Sequence, residues 1–276
     1  MPHRIAPFVT IAAVAIGLLT LFNYFAPLEP TSVAVYAGLT IALAGLVSFI
    51  KPLHFFAIRS RLAALTVLAT GVAMFFAGLF WPAHSIRVAT RRNYLDYTLS
   101  EYQFVEHHEV RVHATPDRVA KAAEEATVGD IHALVALMQI RAAAYGRFRR
   151  IRSSGNPRIL ELFSNPRSGF LLLHRDSREI VFGLVGRPWA NERPPAITAA
   201  DFANWNAPNA MKTVFNLMVV DEGGGWSRVV TETRVRGTDS EGTRRMARYW
   251  RLIYPGSGMI RRMWINAIRD RAERAV

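Results

Sequence analysis

Three groups of side chains in this 276-residue chain have the types and spacing to do chemistry. His107, Glu109 and His113 fall on one side of a strand by alternation, which invites a metal ion. An extended chain from 107 to 113, however, spans ~20 Å at ~3.3 Å per residue. One ion held ~2 Å from each nitrogen does not bridge that distance. His107 with Glu109 alone leaves the coordination incomplete, so no metal site is assigned. Glu232 and Arg234 stand two apart on one strand face. A surface ion pair worth less than ~1 kcal/mol accounts for them better than a catalytic role. The run RAAAYGRFRRIR gathers Arg141, Arg147, Arg149, Arg150 and Arg152 around Tyr145 and Phe148. It reads as a solvated face or as a contact for anionic lipid headgroups.

No nucleophile elbow, phosphate loop, Ser-His-Asp arrangement or metal signature occurs. Cysteine is absent, which excludes disulfides, thiol nucleophiles and thiolate metal sites. No catalytic residue and no cofactor are assigned, because the predicted inward faces carry only threonine hydroxyls and no acid or base. Asp201 and Glu192 are the acids that the loop Arg187–Asn209 could bring to a cavity mouth. Of the 34 basic residues only Lys51, Lys121 and Lys212 are lysine. The arginines are scattered, and a GC-rich coding sequence explains them better than phosphate recognition.

The elements that must position these groups divide sharply by charge. The formal charge is +13. Between Met1 and Ala83 the charged residues are Arg4, Glu29, Lys51, Arg59 and Arg61, so 30 basic and 20 acidic residues follow. Ile5–Leu28, Pro30–Ile50 and Leu62–Ile86 carry no charge, and each is at least as long as the ~20 residues a helix needs to cross the hydrocarbon core. We therefore predict a transmembrane region over 1–86, with helices at about 5–26, 32–50 and 62–82, then a linker over 87–99 and a folded domain over 100–276. Basic residues precede the first span and fill the Lys51–Arg61 link. The positive-inside rule then puts the N-terminus in the cytoplasm and the C-terminal domain outside it. Arg87, Arg91 and Arg92 point to the reverse orientation. The span interiors lack ionisable groups, unlike those of transporters, and Gly38, Gly45, Gly71 and Gly78 suit close helix packing. The spans therefore read as an anchor or a homo-oligomerisation module, with the lipid bilayer as partner. Nucleic acid is not a partner of a domain on that side.

Beyond Ser100 the pattern is α+β. Tyr102–His113 alternates as a strand. Thr115-Pro116-Asp117 starts a helix that runs through RVAKAAEEA, and Gly129-Asp130 opens a second one, DIHALVALMQIRAAA. Pro157–Phe163 reads as a weak strand. Gly169–Arg175 with Glu179–Val185, and Met211–Asp221 with Trp226–Arg236, read as two hairpins. Glu241–Tyr254 and Ser257–Ala275 are helical, divided at Pro255-Gly256, with Ser257 as the cap of the second. An antiparallel sheet wrapped on a long C-terminal helix leaves space for a cavity. Alternation puts Phe182, Leu184, Thr213, Phe215, Leu217, Val229, Thr231 and Thr233 on its wall, and helical spacing adds Trp250, Ile253 and Trp264. The same residues also suit an ordinary filled core. The arginines of the last helix, among them Arg251 and Arg261, fall on its outer face.

The stretches FVEHHEVRVHATPDRV, GFLLLHRDSREIVFGLVGRPW, TETRV and YWRLIYPGSGMIRRMWINAIRDRAE resemble the START-like, or SRPBCC (Bet v 1-like), superfamily over about 100–276. The resemblance is narrowest to bacterial members that end in a YW…PGSG…IRR…AE helix. It implies a helix-grip fold with a hydrophobic cavity for a lipid or similar apolar molecule, in a protein of the bacterial inner membrane. It does not imply one activity. The expectation is thus a membrane-anchored START-like domain that binds an apolar ligand between the sheet and the C-terminal helix. A cyclase- or aromatase-type enzyme on a hydrophobic substrate and a non-catalytic interaction module are the alternatives.

Overall fold

The computed structural model describes residues 29–51, 58, 60–132, 134–144, 155–190 and 192–274. The first predicted span and all of the arginine run beyond Arg141 lie outside the described residues. The chain divides into two compact units, Met1–Pro82 with Trp250–Pro255, and Ala83–Tyr249 with Gly256–Val276.

The first unit is built on two antiparallel helices, α1 (Pro30–Ile50) and α2 (Arg61–Phe80). Both are long and apolar enough to cross a membrane. The small residues face inward: Ser32, Gly38, Gly45 and Ser48 of α1 and Ala64, Gly71 and Gly78 of α2 are buried. Leu39, Leu43, Leu46, Leu62, Leu65 and Phe76 point outward and are exposed. That is the reverse of a water-soluble helix pair, in which the large apolar side chains form the contact. The backbones approach so closely that a β-carbon on Gly71 would lie 2.2 Å from the Ala42 nitrogen, and one on Gly38 would lie 2.4 Å from that of Phe75. The glycines that suggested an oligomer thus face a helix of the same chain. Ser60 starts α2 by accepting from the Ala63 N–H at 3.1 Å.

The ends of this pair are tied by Trp250–Pro255. Arg251 is 2% exposed and donates to the carbonyls of Leu79 and Trp81, both at 2.5 Å, and to Thr31 Oγ1 at 3.1 Å. The carbonyls that close α2 have no partner within their own helix, and a cation there also complements the helix dipole. Trp250 Nε1 donates to Glu29 at 3.1 Å, and the Tyr36 hydroxyl donates to the Leu252 carbonyl at 2.6 Å.

In the second unit a short antiparallel pair, β1 (Ile86–Arg87) with β2 (Glu101–Tyr102), brackets the helix α3 (Tyr94–Thr98). Residues 87–99, expected as a linker, therefore carry a helix whose Leu95 is fully buried. The strand β3 (Phe104–Val112) follows, then the helices α4 (Pro116–Glu125), α5 (Leu134–Ala144) and α6 (Ile159–Ser164). The strands β4 (Leu171–Arg175), β5 (Glu179–Gly186), β6 (Met211–Gly223) and β7 (Trp226–Gly237) complete one five-stranded antiparallel sheet, ordered β3-β7-β6-β5-β4. The two expected hairpins form. The β6–β7 turn has Gly223, Gly224 and Gly225 all at positive φ, which only glycine adopts freely.

Two secondary-structure expectations fail. The weak strand over Pro157–Phe163 is the helix α6. Its Ile159 and Leu160 are buried, while Phe163 turns its ring toward Phe182, Phe215 and Trp264, a three-dimensional cluster that strand alternation would split. The helix also does not break at Pro255-Gly256. One helix, α7, runs from Ser240 to Arg274 with Pro255 inside it. Proline removes one hydrogen bond, but Trp250 and Tyr254 before it, and Trp264, Ile265 and Ile268 after it, are buried and hold the helix on both sides.

Both faces of the sheet are covered. Against one lie α4, α6 and the end of α7, around Val112, Phe182, Phe215, Leu217, Val229, Trp264 and Ile268. Against the other lie α3 and the segment around Phe202, on Val181, Val185 and Val214.

Candidate functional site

The face under α7 carries more than threonines. Phe104, Glu106, His108, Val110 and Val112 share the inward parity of β3, and Glu106 and His108 are 1% and 5% exposed. The expectation of inward faces free of acid or base is overturned. Glu106 Oε1 lies 2.8 Å from His108 Nε2, and Ser257 donates its hydroxyl to Glu106 Oε2 at 2.7 Å. Ser257 therefore sits mid-helix and orients a buried carboxylate instead of capping a new helix. Gly258 faces the same pair; a β-carbon on it would be in ordinary contact with Glu106 Oε1 at 3.5 Å.

One turn further on, Arg261 points inward, not outward as expected. Its guanidinium carbon lies 4.2 Å from the centre of the Phe215 ring and 5.6 Å from that of Trp264. Nη1 reaches Thr231 Oγ1 at a long 3.4 Å, while Thr231 spends its own hydrogen on the Asn216 carbonyl at 2.7 Å. Burial pushes the Arg261 guanidinium down to about 10, against the opposing negative field of Glu106. Trp264, 1% exposed, has an indole N–H with no acceptor among the described residues. Buried donors are almost always paired, so this turn of α7 is short of acceptors. Around it stand Phe163, Phe170, Phe182 and Phe215, with ring centres 5.0–5.6 Å apart. The result is an apolar layer with a carboxylate–imidazole pair at one end and the unspent Trp264 indole N–H beside it.

Of the predicted lining residues, Phe182, Phe215, Leu217, Val229 and Trp264 meet in this layer, and Thr231 and Thr233 are buried on the same face. Leu184 and Thr213 are half-buried, the latter donating to Met211 Sδ at 2.8 Å. Trp250 and Ile253 belong instead to the unit of the apolar helices.

The outward face holds a second network. Arg234, 5% exposed, bridges Asp96 at 2.7 Å and Glu232 at 2.6 Å, donates to the Leu99 carbonyl at 3.3 Å and lies over Tyr102. It is not the surface pair expected. The helix α3 supplies Asp96 and covers the guanidinium. His107 joins through Glu232 at 3.1 Å and also meets Glu109 at 3.5 Å. The Glu232 hydrogen bond raises the His107 pKa. At Glu232 burial acts upward but is outweighed by His107 and Arg234, and its pKa falls. A third buried acid, Glu179, accepts from Asn216 and from the Tyr94 and Leu95 N–H groups. These contacts tie α3 to the sheet and are structural.

The loop acids have separate fates. Asp201 caps its own turn by accepting from the Thr198 N–H and hydroxyl. Glu192 pairs with Arg187 at 3.5 Å beside a cleft of about 230 Å³ that Trp205 also lines. Arg141, the one described member of the arginine run, lies 5.9 Å from the Tyr249 ring centre. No family model, curated protein or solved structure matches the chain.

Proposed function

We propose that this protein is a membrane-anchored START-like domain that takes an apolar molecule with an acceptor-bearing head between the sheet and α7. The carrying observation is the turn Arg261–Trp264, where, among the described residues, a buried indole N–H has no acceptor and the neighbouring guanidinium has one long hydrogen bond. In this reading the aromatic layer takes the apolar body, and Arg261 and Trp264 take the head. Anchoring is supported by the inside-out pattern of α1 and α2. In this reading, which takes the uncharged sequence Ile5–Leu28 as a further crossing, the domain lies outside the cytoplasm at the inner membrane. An alkaline phosphatase fusion after Val276 tests the orientation, since an inactive fusion reverses it. The ligand reading is tested by fluorescent fatty acid uptake into the full chain in uncharged detergent. Arg261→Met and Trp264→Phe keep volume and ring but remove donors, and each is expected to weaken uptake. Uptake equal to wild type in both refutes it.

The buried Glu106–His108 pair favours one second reading, acid–base chemistry on the same ligand. Incubating the ligand-loaded chain and following the ligand mass tests it. Conversion in wild type and none in Glu106→Gln supports an enzyme; identical masses in the two remove it.

A further inference from the structure

Lys212 and Arg236 stand directly opposite each other where β6 pairs with β7. Facing side chains of an antiparallel pair have β-carbons only ~4.5–5.5 Å apart, and like charges there repel. Among the described residues neither forms an ion pair. Lys212 gives one N–H to the Ala203 carbonyl at 2.7 Å and lies over the Phe202 ring, while the Arg236 side chain is exposed. Burial and then the Arg236 charge hold the Lys212 pKa below the usual lysine range. Both cations line a cleft of about 340 Å³ whose walls include Ser100, Asn204, Asn206 and Thr238. Glu101 also lines the cleft; its carboxylate accepts from Ser85 at 2.9 Å, pairs with Arg87 at 3.5 Å and lies in the field of Arg236.

We propose that this cleft binds a phosphate group, clamped by Lys212 and Arg236 from adjacent strands, with the side chains of Ser100, Asn204 and Asn206 completing the contacts. A dianion turns the cross-strand repulsion into two attractions, and the guanidinium fork fits two of its oxygens. The volume lies in the range of small-ligand sites, so the phosphate can carry an ester. The site lies on the outward face of the sheet, distinct from the layer under α7, and stands without the ligand reading above.

The phosphate can belong to a soluble ester or to a lipid headgroup, and two arms separate them. In the first, inorganic phosphate is titrated into the full chain in uncharged detergent at matched ionic strength, and the melting temperature is read. Wild type is expected to be stabilised by phosphate. Arg236→Gln and Lys212→Met are expected to weaken that affinity at least about tenfold. With the repulsion removed, their phosphate-free melting temperatures should equal or exceed that of wild type. In the second arm, native mass spectrometry compares retention of phosphatidic acid and diacylglycerol from nanodiscs. A phosphate response without lipid retention assigns a soluble ester. Preferential phosphatidic acid retention that both variants lose assigns a headgroup. No response in either arm, or equal responses in wild type and both variants, overturns the proposal.

Discussion

Replacing Arg234 with methionine tests the outward network most severely. The guanidinium holds Asp96 at 2.7 Å, Glu232 at 2.6 Å and the Leu99 carbonyl at 3.3 Å, all with Arg234 itself 5% exposed. Methionine keeps much of the apolar volume but leaves Asp96 buried, with the Arg92 N–H at 2.7 Å as its main remaining outside donor. Breaking a buried pair from one side costs about 3–5 kcal/mol, whereas an exposed pair is worth less than ~1 kcal/mol. For a domain of this size 1 kcal/mol moves the melting temperature by ~2–4 °C, so the variant should melt roughly 6–20 °C lower. The assay is intrinsic-fluorescence melting of the full chain in uncharged detergent. Asp96→Asn in the same background should restore part of the loss, because it removes the stranded charge. The pH dependence has a definite sign. His107, raised from 6.5 by Glu232, contributes stability that is complete below pH 6.5 and lost as pH rises through its folded value. Glu232, lowered from 4.5, contributes stability present above pH 4.5 and lost as pH falls through its folded value. The pair therefore contributes most between those two limits, and His107→Gln should flatten that window. A drop of less than ~2 °C for Arg234→Met, no larger than a surface pair gives, would refute the reasoning.

Three further outcomes are expected. Because the chain has no cysteine, Ala34→Cys with Gly78→Cys should cross-link on mild oxidation: a β-carbon on Gly78 would lie 2.9 Å from that of Ala34, and a shift of about 1 Å reaches the ~3.5–4.5 Å a disulfide spans. Adding Gly71→Leu, which forces α1 and α2 apart at a cost of about 1–3 kcal/mol or more, should abolish the cross-link. Arg251→Ala strips three hydrogen bonds from the ends of α1 and α2; protease cleavage near Pro82 should accelerate, and an unchanged rate contradicts the clamp. Asp176, lowered to about 2 chiefly by the His174 hydrogen bond, contributes stability that is present above about pH 4 and lost as pH falls toward 2. Asp176→Asn should remove that part of the acid limb in a pH series of melts.

The sheet was legible because its strands alternate cleanly and its turns carry Asp-Ser and a glycine triplet. The helix α6 was not, because six residues are too few for a 3.6-residue period to declare itself. On β3 the signal was present: Phe104, Val110 and Val112 mark the buried parity, and Glu106 and His108 fall on it. Attention to His107 and Glu109, whose types suggested a metal, pointed to the wrong face. Arg251 and Arg261 looked like outer-face charge because a helical stripe is read from apolar residues alone. Their burial depends on acceptors and rings supplied by residues far away in sequence. The same holds for Arg234, whose partner Asp96 lies in a segment that reads as a linker.

The central claim is that the layer between the sheet and α7 holds an apolar ligand whose head meets Arg261 and Trp264. Native mass spectrometry of the full chain, purified from its own membrane in uncharged detergent, tests it directly. The account predicts a single hydrophobic adduct that organic solvent releases and that Trp264→Phe carries at lower occupancy. An adduct-free wild-type chain, or an adduct held equally by Trp264→Phe and Arg261→Met, would contradict it.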